Sequence, residues 1–201
     1  LPLIKWFMAI NLIIEAKKGI SALQVSRNLD ITYKTAWSIT HKIRKALKQN
    51  TSMLCGIVEM DETYVKTNKD DEDNNHKGGT GRGTSNTPVV GMVEKNGSVK
   101  AFATNDTTFF TLANLALGSI ARGTTIHTDE YSSYFKFKEY FPHKTVNHSQ
   151  EYVSAEDITT NSIEGFWSLL KRGIKGNFHH VSKKYLQAYI DEFSYRYNQR
   201  K

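Results

Sequence analysis

The stretch Ile57-Val58-Glu59-Met60-Asp61-Glu62-Thr63-Tyr64-Val65 decides the fold, because its β-branched and aromatic residues predict a strand. The apolar residues that open the strand lead to a carboxylate, Asp61, where we expect the strand to stop. Side chains alternate between the two faces of a sheet, so Asp61 and Glu62 point to opposite sides and only one of them can serve a single site. We expect Asp61, and not Glu62, to be the residue that serves the site.

Two further stretches bring carboxylates to similar places. Asp129 follows a predicted strand over residues 124–128, and Glu164 lies in the first turn of a predicted helix that begins near Asn161. A single Asp at a strand end is usually a turn or capping residue. Three carboxylates from two strand ends and a helix, however, can hold a pair of Mg²⁺ ions, the arrangement used to cut and join phosphodiesters. Such hard oxygen ligands favour Mg²⁺ or Mn²⁺ over zinc.

The order of the remaining elements predicts an α/β fold of the RNase H-like, retroviral-integrase type, with late helices on both faces of the sheet. Asn96-Gly97 is typical of a hairpin turn between two strands. The predicted elements after residue 66 are strands at 88–94, 99–104, 124–128 and near 144–147, and helices from Thr107 or Thr108 to Gly118, at 161–174 and at 182–197. Residues 66–87 show no apolar periodicity and predict a mobile loop, in which Lys77 and Arg82 could close over a DNA backbone.

The net charge of +7 is concentrated at the start of the 201-residue chain. Residues 1–50 hold nine Lys or Arg against Glu15 and Asp30, whereas the rest of the chain holds 18 charges of each sign. This imbalance indicates a partner that is a polyanion, for which we expect DNA, although a solvated basic helix without a partner would have the same charge. The single cysteine, Cys55, excludes an internal disulfide and favours a reducing compartment.

Residues 1–50 also predict three helices with a short turn between the second and third, which is a helix-turn-helix candidate. In the first, Trp6, Phe7, Ile10, Ile13 and Ile14 recur at helical spacing. The third, over residues 33–47, is the predicted recognition helix. The candidate DNA contacts on this helix are Thr35 and Ser38 for base edges and Lys42, Arg44 and Lys45 for phosphates. Lys34 and His41 are further candidates for contact with bases or phosphates. The second domain is predicted over residues 55–201.

The helix from Asn161 has two distinct faces. Ile163, Phe166, Trp167, Leu170 and Ile174 form the predicted buried stripe, and the opposite face carries Asn161, Glu164, Ser168 and Lys171. A carboxylate with a lysine two turns further on suits a site that binds both metal and phosphate. The five histidines after residue 126 lack a zinc spacing, and we interpret them as DNA contacts or packing residues.

The motifs, in this order, resemble the DDE-type transposases of the bacterial insertion-sequence group related to the eukaryotic Merlin elements, the group with an ISXO2-like transposase domain. The resemblance covers nearly the whole chain. It rests on YKTAW at 33–37, MDETY at 60–64, HTDEY at 127–131, NSIEGFW at 161–167, LKR at 170–172 and YRYNQR at 195–200.

The resemblance implies a Mg²⁺-dependent polynucleotidyl transferase that cuts transposon ends and joins them to target DNA, with Asp61, Asp129 and Glu164 as ligands of two Mg²⁺ or Mn²⁺ ions. Asn161 and Lys171 belong to the same signature and are carried over as site residues, and Arg172 is expected to hold phosphate. The chain departs from the family at Thr159, where a His is common. It also lacks the frequent N-terminal zinc ribbon and begins at Leu1, which suggests a fragment.

The expected partners are double-stranded DNA, as terminal inverted repeats and target, and a second copy of the chain, because joining two ends needs at least a dimer. The apolar stretch at residues 4–14 is too short to span a membrane. A bacterial protein would lie in the cytoplasm at the nucleoid, and one from a eukaryotic element in the nucleus. Two alternatives stay open: a transposase-derived DNA-binding regulator without catalysis, and an RNase H-like nuclease.

Overall fold

A computed structural model of the chain describes residues 1–48, 52–68, 86–146 and 159–200. They form a mixed α/β fold with a five-stranded sheet. The helices are α1 (Leu3–Glu15), α2 (Ala22–Leu29), α3 (Tyr33–Ala46), α4 (Phe109–Ser119), α5 (Asn161–Gly173) and α6 (Lys183–Asn198). The strands are β1 (Ile57–Val65), β2 (Thr67–Asn68), β3 (Thr87–Glu94), β4 (Val99–Ala103), β5 (Thr125–Thr128), β6 (His143–Thr145) and β7 (Val181–Ser182).

Strand β1 lies at the centre of the sheet, whose order is β4-β3-β1-β5-β6. β3 runs antiparallel to β1 and β4, whereas β5 runs parallel to β1 and to β6. The predicted strand at residues 57–65 is confirmed, but the expectation that it stops at Asp61 is wrong. Thr63, Tyr64 and Val65 favour extended backbone and continue the ladder with β3, so Asp61 is in mid-strand.

The sheet separates two apolar clusters because the side chains of each strand alternate between its faces. On one face, Val58 and Met60 pack with α4 and with a 3₁₀ helix at Ser132–Glu139 that the sequence did not predict. The other face is covered by both α5 and α6, whose buried residues join one cluster with Val89 and Val99. The expectation that the late helices lie on both faces is therefore wrong, since α4 and the 3₁₀ helix cover the opposite side.

Part of the predicted loop at residues 66–87 is strand. Thr67–Asn68 forms β2 and pairs in parallel with β7, and Thr87 is the first residue of β3. These pairings supply hydrogen-bond partners for the backbone of residues 67–68 and 87, and the sequence pattern could not reveal them. The loop residues with predicted DNA contacts, Lys77 and Arg82, lie outside the described residues.

Three helices at the start of the chain surround a core of their own, formed by Ala9, Ile13, Val25, Leu29, Ala36, Ile39 and Ile43. Ser21 caps α2 by accepting from the backbone N–H of Gln24, and Thr32 caps α3 by accepting from Thr35. Only three residues join α2 to α3. Asp30, the first of them, adopts a left-handed φ of 47° that turns the chain sharply. Phe7, which was expected in the core, is 59% exposed.

Helix α3 packs against α6 through a buried ion pair. Arg44 Nε donates to Glu192 Oε2 at 2.5 Å, and Glu192 also accepts from Arg196 one turn along α6. His41 packs on Tyr185 of the same helix, with ring centroids 4.7 Å apart. The prediction that His41 and Arg44 face solvent for DNA is therefore wrong, because α6 covers that side of α3. None of the helices formed by the described residues has the length and hydropathy that a membrane span requires.

Candidate active site

The sheet brings Asp61 and Asp129 to the same region. The last pair of the parallel ladder between β1 and β5 is Glu59 with His127, and Asp61 and Asp129 each lie two residues further on. Besides burial and the charge of Glu62, the charge of Asp129 raises the pKa of the Asp61 carboxyl, so the two carboxylates lie within electrostatic range of each other. Asp129 follows the last residue of β5, as predicted, and its Oδ1 accepts from the backbone N–H of Tyr131 at 3.0 Å.

Asp61 is held in a partly desolvated position. Burial raises the pKa of its carboxyl to about 6, and the nearby charges of Glu62 and Asp129 act in the same direction. Trp167 opposes this shift, because its indole Nε1–H donates to Asp61 Oδ2 at 2.9 Å. The two neighbouring carboxylates therefore repel each other in a site that favours neutralisation, by a proton or by a cation.

The indole of Trp167 reaches Asp61 because the facing residue of β3 has no side chain. Gly91 is the cross-strand partner of Asp61. A Cβ at this glycine would lie 2.5 Å from the indole ring, which is too close for any real contact. Gly91 is thus the residue that allows helix α5 to approach the sheet at the site.

A third carboxylate of β1, Glu59, holds the start of α5. Glu59 is 1% exposed and lies on the same face as Asp61. Its Oε2 accepts from the backbone N–H of Ser162 at 2.7 Å and of Ile163 at 3.0 Å, and its Oε1 accepts from the hydroxyls of Ser162 and Thr159. A carboxylate at a helix N-terminus satisfies free backbone donors and complements the helix dipole.

Sequence reasoning missed Glu59, although strand alternation from Asp61 points to it. The Thr159 hydroxyl donates to Glu59 at 3.0 Å. Glu59 therefore ties the strand that carries Asp61 to the helix that carries Glu164.

Helix α5 shows the two faces that the sequence predicts. Its stripe of Ile163, Phe166, Trp167, Leu170 and Ile174 is buried. The predicted site residues Asn161, Glu164 and Lys171 are exposed together with Ser168 and Arg172. Glu164 Oε1 accepts from the Thr160 hydroxyl at 3.3 Å, and Trp167 one turn further along reaches Asp61.

The predicted metal triad is only partly assembled. Within the four described ranges, no group of three or more His, Cys, Asp or Glu side chains is placed to hold a metal ion. Asp61 and Asp129 interact electrostatically, whereas Glu164 is on the exposed face of α5. The chemistry of the donors fits a hard divalent cation, because carboxylate oxygens are its preferred ligands.

The acidic residue next to Asp61 faces away from this site, as alternation predicts. Glu62 lies on the opposite face, where its Oε2 accepts from the Tyr134 hydroxyl at 2.7 Å. Burial, reinforced by the Glu62 carboxylate, raises the pKa of Tyr134 well above its ordinary value. Glu130 is exposed. The choice of Asp61 over Glu62 thus agrees with the geometry.

Two histidines near the site are packing residues. His127 is 4% exposed, and burial lowers the pKa of its imidazole, which stands beside Glu59 in the ladder. His143 Nε2 lies 2.9 Å from the hydroxyl of Thr128, and burial lowers its pKa as well. His179 and His180 are exposed, and His148 lies outside the described residues.

The candidate DNA contacts of α3 form a separate surface. Lys34, Lys42 and Lys45 are exposed, and Thr35 and Ser38 are partly exposed. His41 and Arg44 leave this set because they are buried against α6. The remaining surface is basic and free of acidic residues along the described helix.

Comparisons with known proteins found relatives by sequence and by structure. A protein of Halobacterium salinarum described as an uncharacterised protein in transposable element ISH50 is 28% identical over 205 residues, covering 96% of this chain and 68% of the relative. The HTLV-2 integrase catalytic core domain, solved in complex with magnesium, is similar at a TM-score of 0.42 and 14% identity, over 76% of this chain and 92% of that one. A chain of the pre-cleavage Mos1 transpososome is similar at a TM-score of 0.37 and 11% identity, over 93% of this chain and 72% of that one.

The sequence profile of one family matches residues 53–198, which include every strand of the sheet and both helices that cover the site. The chain belongs to the family of the ISXO2-like transposase domain.

Proposed function

We propose that this chain is a DNA transposase that cuts the ends of its own element and joins them to target DNA, within the branch related to the Merlin elements. The observation that carries the proposal is the position of Asp61 on β1 and of Asp129 directly after the neighbouring parallel strand β5, beside the helix that presents Glu164. The sheet supports an RNase H-like assignment, because three antiparallel strands are followed by two that run parallel to the first.

Asp61, Asp129 and Glu164 would hold two Mg²⁺ or Mn²⁺ ions. Bound ions of this kind activate the attacking hydroxyl and stabilise the leaving oxygen of a phosphodiester. Closing the set requires Glu164 to approach the two aspartates. Glu59 and Trp167 already hold the first two turns of α5, which carry Glu164, on the strand that carries Asp61.

The exposed face of α5 would position the DNA strand. Lys171 stands two turns beyond Glu164 and supplies a cation for the phosphate next to the one that is cut. Arg172 is anchored, because its Nε donates to the backbone carbonyl of Ser168 at 3.1 Å, and its guanidinium is exposed for a further phosphate. Asn161, in the first turn, offers an amide that can orient the strand or a water.

The three N-terminal helices would act as a helix-turn-helix on the terminal repeats. Lys34, Lys42 and Lys45 supply phosphate contacts, and Thr35 and Ser38 lie near the start of α3, where a recognition helix meets base edges. A second copy of the chain would hold the other element end. The basic charge of residues 1–50 supports DNA as the partner.

The test is cleavage of the element's own terminal repeats with Mg²⁺ or Mn²⁺. Wild type should nick the end and join it to a target. Asp129→Asn should lower the rate at least about a hundredfold, because it removes the charge of a proposed metal ligand at the reacting phosphate. Glu130→Gln is the matched control, since it makes the same charge change at the exposed neighbouring residue.

Equal rates for wild type and Asp129→Asn would refute the metal assignment. Cleavage of any duplex without strand transfer would favour the nuclease. Sequence-specific binding without nicking, with either metal, would favour the regulator. Thermal unfolding offers a second measurement, because Mg²⁺ should raise the midpoint of wild type more than that of Asp129→Asn.

A further inference from the structure

The backbone ladder between β1 and β5 ends before it reaches the two aspartates of the site. Its last pair is Glu59 with His127, two residues before Asp61 and Asp129. Beyond that pair β1 continues to Val65, whereas β5 ends with the next residue. Ladder hydrogen bonds therefore do not set the spacing of the two carboxylates directly, and the like charges of the carboxylates repel each other.

A side chain makes a connection beyond the end of the ladder. Tyr134 lies on the 3₁₀ helix that follows Asp129, and its hydroxyl donates to Glu62 Oε2 at 2.7 Å. Glu62 is the residue after Asp61 on β1, so the bond joins the strand of one aspartate to the segment of the other. Tyr134 is 1% exposed. A buried hydroxyl that donates to a carboxylate forms a strong bond and is costly to leave without a partner.

Two contacts carry the position of Tyr134 to Asp129. The backbone N–H of Tyr134 donates to the carbonyl of Tyr131 at 2.9 Å, and the two rings pack edge to face with centroids 5.9 Å apart. Tyr131 in turn donates its own backbone N–H to Asp129 Oδ1 at 3.0 Å. The carboxylate of Asp129 is therefore part of a turn whose far end is attached to β1.

We propose that Glu62 and Tyr134 are positioning residues for the metal site, because their hydrogen bond holds Asp129 beside Asp61 before a cation neutralises the two charges. Neither residue would contact the metal itself. The second carboxylate of the segment Asp61-Glu62 thus has a role of its own, on the face of β1 that the site does not use. The inference rests on the proposed function, which makes both aspartates metal ligands.

Binding of Mn²⁺ alone, without DNA, tests the proposal by calorimetric titration. Tyr134→Phe removes the hydroxyl and keeps the ring, and it should weaken Mn²⁺ binding about tenfold, as expected for a group that orients a metal ligand. Ile120→Val is the control for lost stability, because Ile120 is buried in the same apolar cluster but lies outside the 3₁₀ helix. It should lower the midpoint of thermal unfolding but change Mn²⁺ affinity less than about twofold.

The route through Glu62 is tested by a double-variant comparison. Glu62→Ala removes the acceptor, so Tyr134→Phe should cause no further loss of Mn²⁺ affinity in that background, whereas two independent effects would multiply. Glu62→Gln keeps an acceptor oxygen for the tyrosine and should therefore bind Mn²⁺ more tightly than Glu62→Ala.

The backbone amide of Tyr131 supplies a measurement that needs no metal. Tyr134→Phe should make its hydrogen exchange faster, because the turn at Asp129 loses its attachment to β1. The amide of Thr125, which donates to Gly56 O at 3.0 Å beside the ladder, is the internal reference for unfolding of the sheet. The exchange of Tyr131 should accelerate more than that of Thr125.

Equal Mn²⁺ affinities for wild type and Tyr134→Phe would overturn the proposal. Multiplied losses in the double variant, or equal acceleration of the two amides, would also overturn it. A wild-type protein that binds no Mn²⁺ would refute the metal assignment of the proposed function, and the amide of Tyr131 would then decide the positioning role alone. A protein that shows every expected effect but never cuts DNA would refute the proposed function and leave the positioning role standing.

Discussion

At the scale of single residues, the site depends on one missing side chain. Gly91 faces Asp61 across the ladder and leaves room for the ring of Trp167, whose N–H reaches the Asp61 carboxylate. The same close approach fixes the position of α5, because Trp167 and Glu164 are one turn apart on it. A change at Gly91 should therefore shift Trp167 and α5 at the site, although the strand of Gly91 contributes no carboxylate to it.

Gly91→Ala should lower the free energy of unfolding by about 1–3 kcal/mol, because the new methyl group meets the Trp167 ring and forces it aside. The intrinsic fluorescence of the variant should also change, because the Trp167 indole loses its hydrogen bond to Asp61. Chemical denaturation and fluorescence spectra measure both effects.

Gly118→Ala is the control for that change, since Gly118 lies in α4 with no atom within 4 Å of an added Cβ. It should stabilise the protein by about 0.4–1 kcal/mol, as alanine does in helices. A Gly91→Ala variant as stable as Gly118→Ala would contradict the assigned close contact.

At the scale of elements, the strand β1 and the helix α5 are joined by a buried carboxylate. Glu59 accepts hydrogen bonds from two backbone N–H groups at the start of α5. Without Glu59 these buried groups would lack partners. This bond sets the angle at which α5 leaves the sheet, and with it the place of Glu164.

Glu59→Gln should lower the free energy of unfolding by about 1–3 kcal/mol, because a neutral amide is a weaker acceptor for the helix N-terminus. Amide hydrogen exchange at Ser162 and Ile163 should become faster. Glu94→Gln is the control, because Glu94 Oε1 accepts from Cys55 N at 3.3 Å in an exposed place. Unchanged protection of both amides in Glu59→Gln would refute the role of Glu59.

At the scale of the whole molecule, the basic three-helix unit is attached to the rest of the fold through α6. His41 lies in this contact, and burial lowers the pKa of its imidazole to about 4. The cations Arg44 and Lys45 lower the pKa further, and the Glu192 carboxylate opposes them. Tyr185 packs on the ring, so protonation would place a charge among aromatic side chains.

The pH dependence of stability follows from this shift. The unfolded chain binds a proton at His41 near pH 6.5 and the folded chain only near pH 4, so stability is complete above pH 6.5 and falls as the pH decreases toward 4. Between pH 7 and pH 5 the loss due to His41 should be roughly 1–2 kcal/mol.

Urea unfolding of wild type and His41→Gln at the two pH values measures this contribution. The variant should lose roughly 1–2 kcal/mol less than wild type, because the other groups titrate in both proteins. His180→Gln, a change at an exposed ring, should keep the pH dependence of wild type. The same pH dependence in all three proteins would exclude His41 as its source.

The sequence predicted the sheet and the positions of several candidate site residues, because local patterns encode both. Alternation separated Asp61 from Glu62, and helical periodicity assigned the buried and exposed residues of α5. The errors concern long-range partners. Arg44 was assigned to DNA because nothing near it in sequence reveals Glu192, which lies 148 positions away. The exposed state of Phe7 and the 3₁₀ helix were missed for the same reason, since packing decides them.

The buried pair of Arg44 and Glu192 also bears on where DNA would be cut. Breaking such a pair leaves a charge without a partner in the interior, so α3 and α6 should move as one body. The helix proposed to recognise a sequence then stands at a constant distance from the carboxylates proposed to cut. In consequence, the number of base pairs between the recognised sequence and the cut should be the same at both ends of the element.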